Sequence, residues 1–170
     1  MCKYELKDNI DLIAATKMDI DKLMTFQGNV IDDMEDKSFF MPLTEQEFLD
    51  AIAIGKVYML YHLDRMMGLV VLNCKPRKDI IDEYKLDDVA DVGIIDGVMI
   101  DKEYRGSKLQ QQLIHYLSYE IKKYSLRQVV ATVNPDNVWS LNNFISCGYE
   151  IINKIIIHGG ERLILSKYYK

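Results

Sequence analysis

Histidine, cysteine and proline each occur only three times in 170 residues, and this scarcity narrows the functions open to the chain. Cys2, Cys74 and Cys147 are odd in number, far apart and form no C-x-x-C pair, so neither a disulfide framework nor a zinc site is expected. His62, His115 and His158 are equally dispersed. No apolar run approaches the roughly 20 residues needed to cross a bilayer, and Met1-Cys2-Lys3-Tyr4-Glu5 lacks the apolar stretch of a signal peptide. Positive charge is short as well: 21 Lys and Arg against 26 Asp and Glu leave a net charge of −5. A protein that binds nucleic acid irrespective of sequence needs a basic face to displace counterions, so no nucleic acid is expected as a partner. Glycine is sparse, and neither a low-complexity linker nor an internal repeat is present. The expectation is one domain over residues 1–170, cytoplasmic, metal-free and without a membrane partner.

What is present is a regular alternation of apolar patterns. Asp11 to Thr16 reads as a short strand, and Thr16-x-x-Asp19 offers a helix N-cap. Ile20, Leu23, Met24, Val30, Ile31 and Met34 fit one face of that helix, with Gln27 and the Gly28-Asn29 pair as weak points. Thr44-x-x-Glu47 is a capping box for a second helix carrying Phe48, Ala51 and Ile52, with Gly55 at its C-terminus. The runs 57–61 and 67–72, separated by His62-Leu63-Asp64-Arg65, read as a hairpin. Residues 75–91 are charged and irregular and read as a solvated excursion. A third apolar run spans 93–100, interrupted by Asp96. Leu109, Leu113, Leu117 and Ile121 recur every four residues, joined by Tyr116 and Tyr124, and predict a long helix. A strand over 129–133, a short helix over about 137–147 ended by Gly148, and strands over 149–157 and 162–166 complete the chain. This order predicts an α/β sandwich with one mixed sheet.

The densest chemical signal lies between Gly97 and Gln110. A buried strand ends at Ile100, Gly106 permits a tight turn, and the long helix begins near Ser107. The first backbone N–H groups of a helix have no intrahelical acceptor and sit at the positive end of its dipole, which suits a pyrophosphate. Arg105 and Lys108 add positive charge to an otherwise acidic chain. A turn glycine and a surface arginine give the same pattern without a ligand, so this segment alone leaves both readings open.

A second segment adds to the first. Arg105-Gly106-Ser107-Lys108-Leu109-Gln110 is similar to the acetyl-CoA motif Q/R-x-x-G-x-G/A of the GNAT superfamily of N-acetyltransferases. About 30 residues on, Asn137, Ser140, Phe144, Gly148 and Tyr149 resemble that family's N-x-x-[AS]-x-x-x-[YF]-x-x-x-G-[FY]. The resemblance extends over nearly the whole chain through the order of its elements. It implies a mixed, mostly antiparallel sheet of six to seven strands with helices on both faces and a splay between the two central strands. It also implies acetyl-CoA as cosubstrate. The pantetheine arm would lie between the strand ends at Val98, Met99, Ile100 and Asn134. The pyrophosphate would rest on Arg105, Gly106, Ser107, Lys108, Leu109 and Gln110, and Asn137, Ser140 and Phe144 would face the thioester end. The implied reaction is direct acetyl transfer to an amine of a small molecule or peptide, in which the enzyme chiefly orients two reactants. A backbone N–H near Met99 would polarise the carbonyl. A homodimer is compatible with this reading.

Lys108 and Gln110 stand where the family has small residues; Lys108 would either clamp a phosphate or crowd the site, and the clamp is expected because the helix start and its dipole remain. Phe144 stands where many members have a tyrosine proposed to protonate the leaving thiolate; the thiolate would then leave unassisted, or another donor would serve, or the chain is a non-catalytic CoA- or ligand-binding relative. Asp96 stands where some members carry a catalytic histidine, which implies a base for the incoming ammonium; a carboxylate capping a loop is the other reading. Strand alternation places Ile94, Asp96, Val98 and Ile100 on one face. The acidic group Asp79, Asp82, Glu83, Asp87, Asp88 and Asp91 would either attract a cationic amine or form a solvated surface. Phe39 and Phe40 would line an acceptor pocket or pack in the core. Trp139 is expected in the core, and Gly159-Gly160 at the turn of the final hairpin. The acceptor itself is not encoded legibly, because acceptor pockets are built from loops that vary freely on one fold.

Overall fold

The computed structural model describes residues 4–6, 10–54, 56–86, 91–157 and 159–169. Its strands are β1 (Tyr4–Leu6), β2 (Ile10–Ala14), β3 (Lys56–His62), β4 (Arg65–Asn73), β5 (Val92–Ile100), β6 (Gln128–Val133), β7 (Glu150–Ile157) and β8 (Gly160–Tyr168). They form one eight-stranded sheet in the order β1-β2-β3-β4-β5-β6-β8-β7. Every neighbouring pair is antiparallel except β5 and β6. The expected mixed, mostly antiparallel sheet is present, with one more strand than anticipated because the short β1 extends the edge beyond β2.

Among the described residues five α-helices cover the sheet: α1 (Ile20–Asp32), α2 (Glu45–Ile54), α3 (Lys78–Glu83), α4 (Leu109–Lys123) and α5 (Val138–Ser146). The four-residue spacing in α4 puts Leu113, Leu117 and Ile121 fully inside, against Val129 and Leu165 of the sheet. Burying each such side chain contributes roughly 1.5–3 kcal/mol. α5 packs into this same cluster through Leu141 and Phe144. The opposite face carries α1 and α2, whose Leu23 and Phe48 meet Leu69, Val71 and Met99. Local sequence starts these helices as expected. Thr16 and Asp19 form a capping box on the 3₁₀ turn that leads into α1. Thr44 accepts from the Glu47 amide at 3.2 Å while Glu47 accepts from the Thr44 amide at 2.7 Å, opening α2.

Three expectations change. The segment after β4 is not wholly solvated: α3 buries Ile81, and Tyr84 follows it into a cluster with Ile94, Val130 and Ile164. Apolar residues at Ile80, Ile81 and Tyr84 suffice to seat one short helix even among charges. Trp139 is not in the core but 69% exposed at the start of α5, since the buried side of that helix is occupied by Leu141 and Phe144. Strand alternation also fails within β5. Gly97 pairs with Val71 and Ile95 with Leu72, leaving Asp96 between them as a β-bulge. The bulge shifts the phase, so Ile95, Val98 and Ile100 share the α4 face while Ile94 and Met99 face the other side. Gly55, Asp87, Asp88, His158 and Cys2 lie outside the described residues.

Candidate functional site

Strands β5 and β6 run side by side only from Val92–Gln128 to Ile95–Ala131. Beyond the bulge they part, so the stretch from Asp96 to Ile100 keeps its β4 neighbour but has no partner on the β6 side. A cavity of about 1020 Å³ opens there. It reaches from the N-terminus of α4 on one side to the loop between α1 and α2 on the other.

The α4 end is prepared for an anion. After β5, a 3₁₀ turn over Lys102–Tyr104 is capped by Asp101 and followed by Gly106 at φ +80 and Lys108 at φ +63. These two left-handed residues, which glycine adopts freely, turn the chain so that α4 starts pointing at the gap. No backbone N–H from Gly106 to Gln111 donates to another group of the described residues. The helix has no acidic residue in its first turn, and Lys108 at its N-cap makes no capping bond. The dipole end is thus left open to a negative ligand. The surrounding cations divide into two sets. Lys102 pairs with Asp33 at 2.7 Å, and Arg65 pairs with Asp101 and Glu103. Arg105 and Lys108 pair with no described carboxylate, and both line the cavity. Arg105 is steadied by its Nε, which donates to the Ile100 carbonyl at 3.2 Å.

Of the residues singled out from sequence, Asp96, Val98, Met99, Ile100, Arg105, Gly106, Lys108, Leu109, Gln110, Asn137, Ser140 and Phe144 all line this one cavity. Ser107 and Asn134 do not. The Ser107 hydroxyl turns back onto the Tyr104 carbonyl. Asn134 is buried, donating to the Ser38 carbonyl at 3.3 Å and accepting from the Asp136 amide at 2.9 Å. Gln110 is held by α5: its amide nitrogen donates to Ser140 Oγ at 3.0 Å and its oxygen accepts from Asn143 at 2.9 Å. Gln111 adds a third bond to Asn143 at 2.8 Å. A side chain longer than the small residue of the family motif therefore clamps α4 to α5 at the cavity wall. Asn137 caps α5 by accepting from the Ser140 amide at 3.1 Å. Phe144 is buried and meets Tyr149 edge to face with ring centroids 5.2 Å apart.

At the other end, Asp96 is half-buried among Asn73, Glu47 and Tyr84. Burial pushes its carboxyl up to about 7; the Asn73 hydrogen bond opposes this, and the negative charge of Glu47 adds to it. Tyr84, whose side chain bonds Thr132, is pushed up to about 12 by burial and by Asp96, so its hydroxyl stays protonated near neutrality. Phe39 and Phe40 line the cavity, and Phe40 also packs against the α1–α2 cluster and over Gly97, where an added Cβ would lie 3.5 Å from its ring.

The acidic run after β4 is not in this lining. Asp79, Asp82, Glu83 and Asp91 are exposed, with Asp79 paired to Arg77 at 2.6 Å. Besides Asp96, the carboxylates at the site are Asp33 and Glu35, from the segment after α1, and Glu47 and Asp50, from α2. Sequence reading did not find these, nor Tyr84 and Arg162. The Thr44–Glu47 capping box signalled only a helix start, although it also fixes Glu47 near Asp96.

No family model and no curated protein matches the sequence. Solved structures do match. An acetyltransferase of the GNAT family from Streptococcus pneumoniae aligns over 95% of this chain and 99% of its own, at 18% identity and a TM-score of 0.72. A ribosomal-protein-alanine N-acetyltransferase from Brucella melitensis aligns over 93% and 99%, at 14% identity and 0.72. YncA from Salmonella typhimurium, solved with its cofactor acetyl-CoA, aligns over 95% and 94%, at 12% identity and 0.71. Among the described residues no helix is long and apolar enough to cross a membrane. With its splayed central strands, its open α4 terminus and these matches along nearly its full length, the chain has the fold of the GNAT N-acetyltransferases.

Proposed function

We propose that this chain is an acetyl-CoA-dependent N-acetyltransferase that moves an acetyl group directly to an amine of a small molecule or peptide, acting as a single cytoplasmic domain. The observation that carries the reading is one cavity joining the uncapped α4 terminus to Asp96 through the gap between β5 and β6. Acetyl-CoA supplies the acyl group on a thiol that the amine displaces. The residues present suit it: free amides from Gly106 to Gln111, flanked by Arg105 and Lys108, offer donors and charge to a pyrophosphate. Asn137 and Ser140 border the same channel, and the backbone near Met99 would polarise the reacting carbonyl.

Asp96 takes the proton from the ammonium. An alkyl amine is a nucleophile only when neutral, and a base is most effective with a pKa near the working pH; a carboxyl raised to about 7 meets that requirement. Incubation with acetyl-CoA and a panel of amines, followed by thiol release and the mass of the acetylated product, tests the reading.

A second reading rests on Phe144, which is buried against Tyr149 and has no hydroxyl to offer a departing thiolate. On that reading the chain binds CoA without turnover. The same assay separates the two, since cofactor binding without thiol release favours the second.

A further inference from the structure

Arg162 is the least explained charge of the cavity. It stands near the start of β8, lines the cavity and is only 6% exposed. Its guanidinium donates to two carbonyls, that of Ser38 at 2.9 Å and that of Glu161 at 2.9 Å. No described carboxylate pairs with it. Carbonyls satisfy some of the five guanidinium donors but leave the charge unbalanced, and a buried charge without a counter-ion is costly. Nor is the arginine required to tether the 36–40 loop, because Asn134 already donates to the same Ser38 carbonyl at 3.3 Å.

Position in the sheet says what the charge faces. Thr132 pairs with Ile164, two residues from Arg162 and on the same face of β8. Thr132 bonds Tyr84, and Tyr84 neighbours Asp96. Arg162 and Asp96 therefore border the same face of the sheet, on β8 and β5 with β6 between. Two strand spacings, widened by the splay of β5 from β6 beyond Ile95 and by the two-residue offset of Arg162 along β8, put their backbones more than about 10 Å apart. Asp96 suits the amine of an acceptor, and Arg162 presents the planar fork that matches a carboxylate.

We infer that the acceptor is a free amino acid, with its carboxylate seated on Arg162 and its amine directed to Asp96. This rests on the acetyltransferase reading above and names the substrate class of that site. The first residue of a peptide has its α-carboxyl tied up in an amide bond, so an α-carboxylate seat separates free amino acids from peptide acceptors. In the transfer, Asp96 takes one proton from the ammonium, the neutral nitrogen then bonds the acetyl carbon, the carbon–sulfur bond breaks, and the proton that the acylated nitrogen must still lose passes to the departing sulfur, so that CoA leaves as thiol. Arg162 holds the carboxylate and takes no proton.

The test compares each amino acid with its own carboxamide, which keeps the amine and the shape and removes the negative charge. For the wild type, kcat/KM should favour the acid by about 10- to 100-fold. Arg162→Gln retains a donor for Ser38 and removes the charge; it should bring the ratio of kcat/KM for acid over carboxamide to near one, with the loss falling on the KM of the acid. A second arm needs neither turnover nor the variant: with CoA present, N-acetyl amino acids should raise the melting temperature and their carboxamides should not. Equal use of acid and amide, or a preference that survives Arg162→Gln, overturns the assignment while acetyl transfer stands. If no amine is acetylated, the acetyltransferase reading fails, and the melting arm alone decides for or against a carboxylate site.

Discussion

The side chain of Gln27 completes both backbone hydrogen bonds of Leu43: its oxygen accepts from the Leu43 amide and its nitrogen donates to the Leu43 carbonyl, each at 2.8 Å. Gln27 is buried on α1, and Leu43 ends the loop that carries Phe39, Phe40 and Met41 to the cavity. Gln27→Ala should therefore cost about 1–3 kcal/mol, because it strands a donor and an acceptor. Urea unfolding measures the loss. A change under about 0.5 kcal/mol would show that water replaces the amide.

Gly28, the next residue, is exposed, and a Cβ placed on it meets nothing within 4 Å. Its backbone is helical, so Gly28→Ala should stabilise the protein by about 0.5–1 kcal/mol. Thermal unfolding checks this, and a loss of stability would contradict it.

Lys108 holds φ +63 at the N-cap of α4, a conformation that costs a non-glycine residue about 1 kcal/mol. Lys108→Gly should raise the melting temperature of the free protein, whereas Lys108→Ala keeps the strain and removes only the charge. Both should weaken CoA binding more than pantetheine binding, as calorimetry would show. Unchanged CoA affinity in both variants would mean that Lys108 touches no phosphate.

Asp96 supplies a pH dependence with a defined sign. Its folded-state carboxyl is raised from 3.8 to about 7, so the native state holds a proton that the unfolded chain has released between those values. The associated stability is full below about pH 4 and is lost as pH rises through 7. Asp96→Asn should match the wild type in melting temperature at low pH and exceed it increasingly toward pH 8. In turnover the variant should lose roughly 10²-fold or more, and the loss should shrink as pH approaches the amine's own pKa. Equal turnover at every pH would remove Asp96 from the proton path.

How far the sequence carries depends on whether a signal is local. The four-residue stripe Leu109 to Ile121, the capping box at Thr44 and the glycine at 106 act within one turn or one helix, and each appears in the structure as read. α3 was hidden because six residues with few buried side chains make too short a period. The bulge at Asp96 was hidden because it depends on the register with Val71 and Leu72. Gln27 looked like a weak point on an apolar face because its partners sit 16 residues away. Arg162, Tyr84 and Glu47 come to line one cavity only through the sheet and the helices on its face, so no spacing in the chain announces them.

The central claim is that one cavity brings acetyl-CoA and an amine together. The direct measurement is acetyl transfer by the purified chain from acetyl-CoA to amines, read by free thiol and by product mass, with Arg105→Glu alongside. The expected result is stoichiometric thiol and N-acetyl product from the wild type and near-complete loss in the variant, whose added negative charge faces the pyrophosphate. No thiol release from any amine, together with no change in melting temperature at millimolar acetyl-CoA or CoA, would contradict the account.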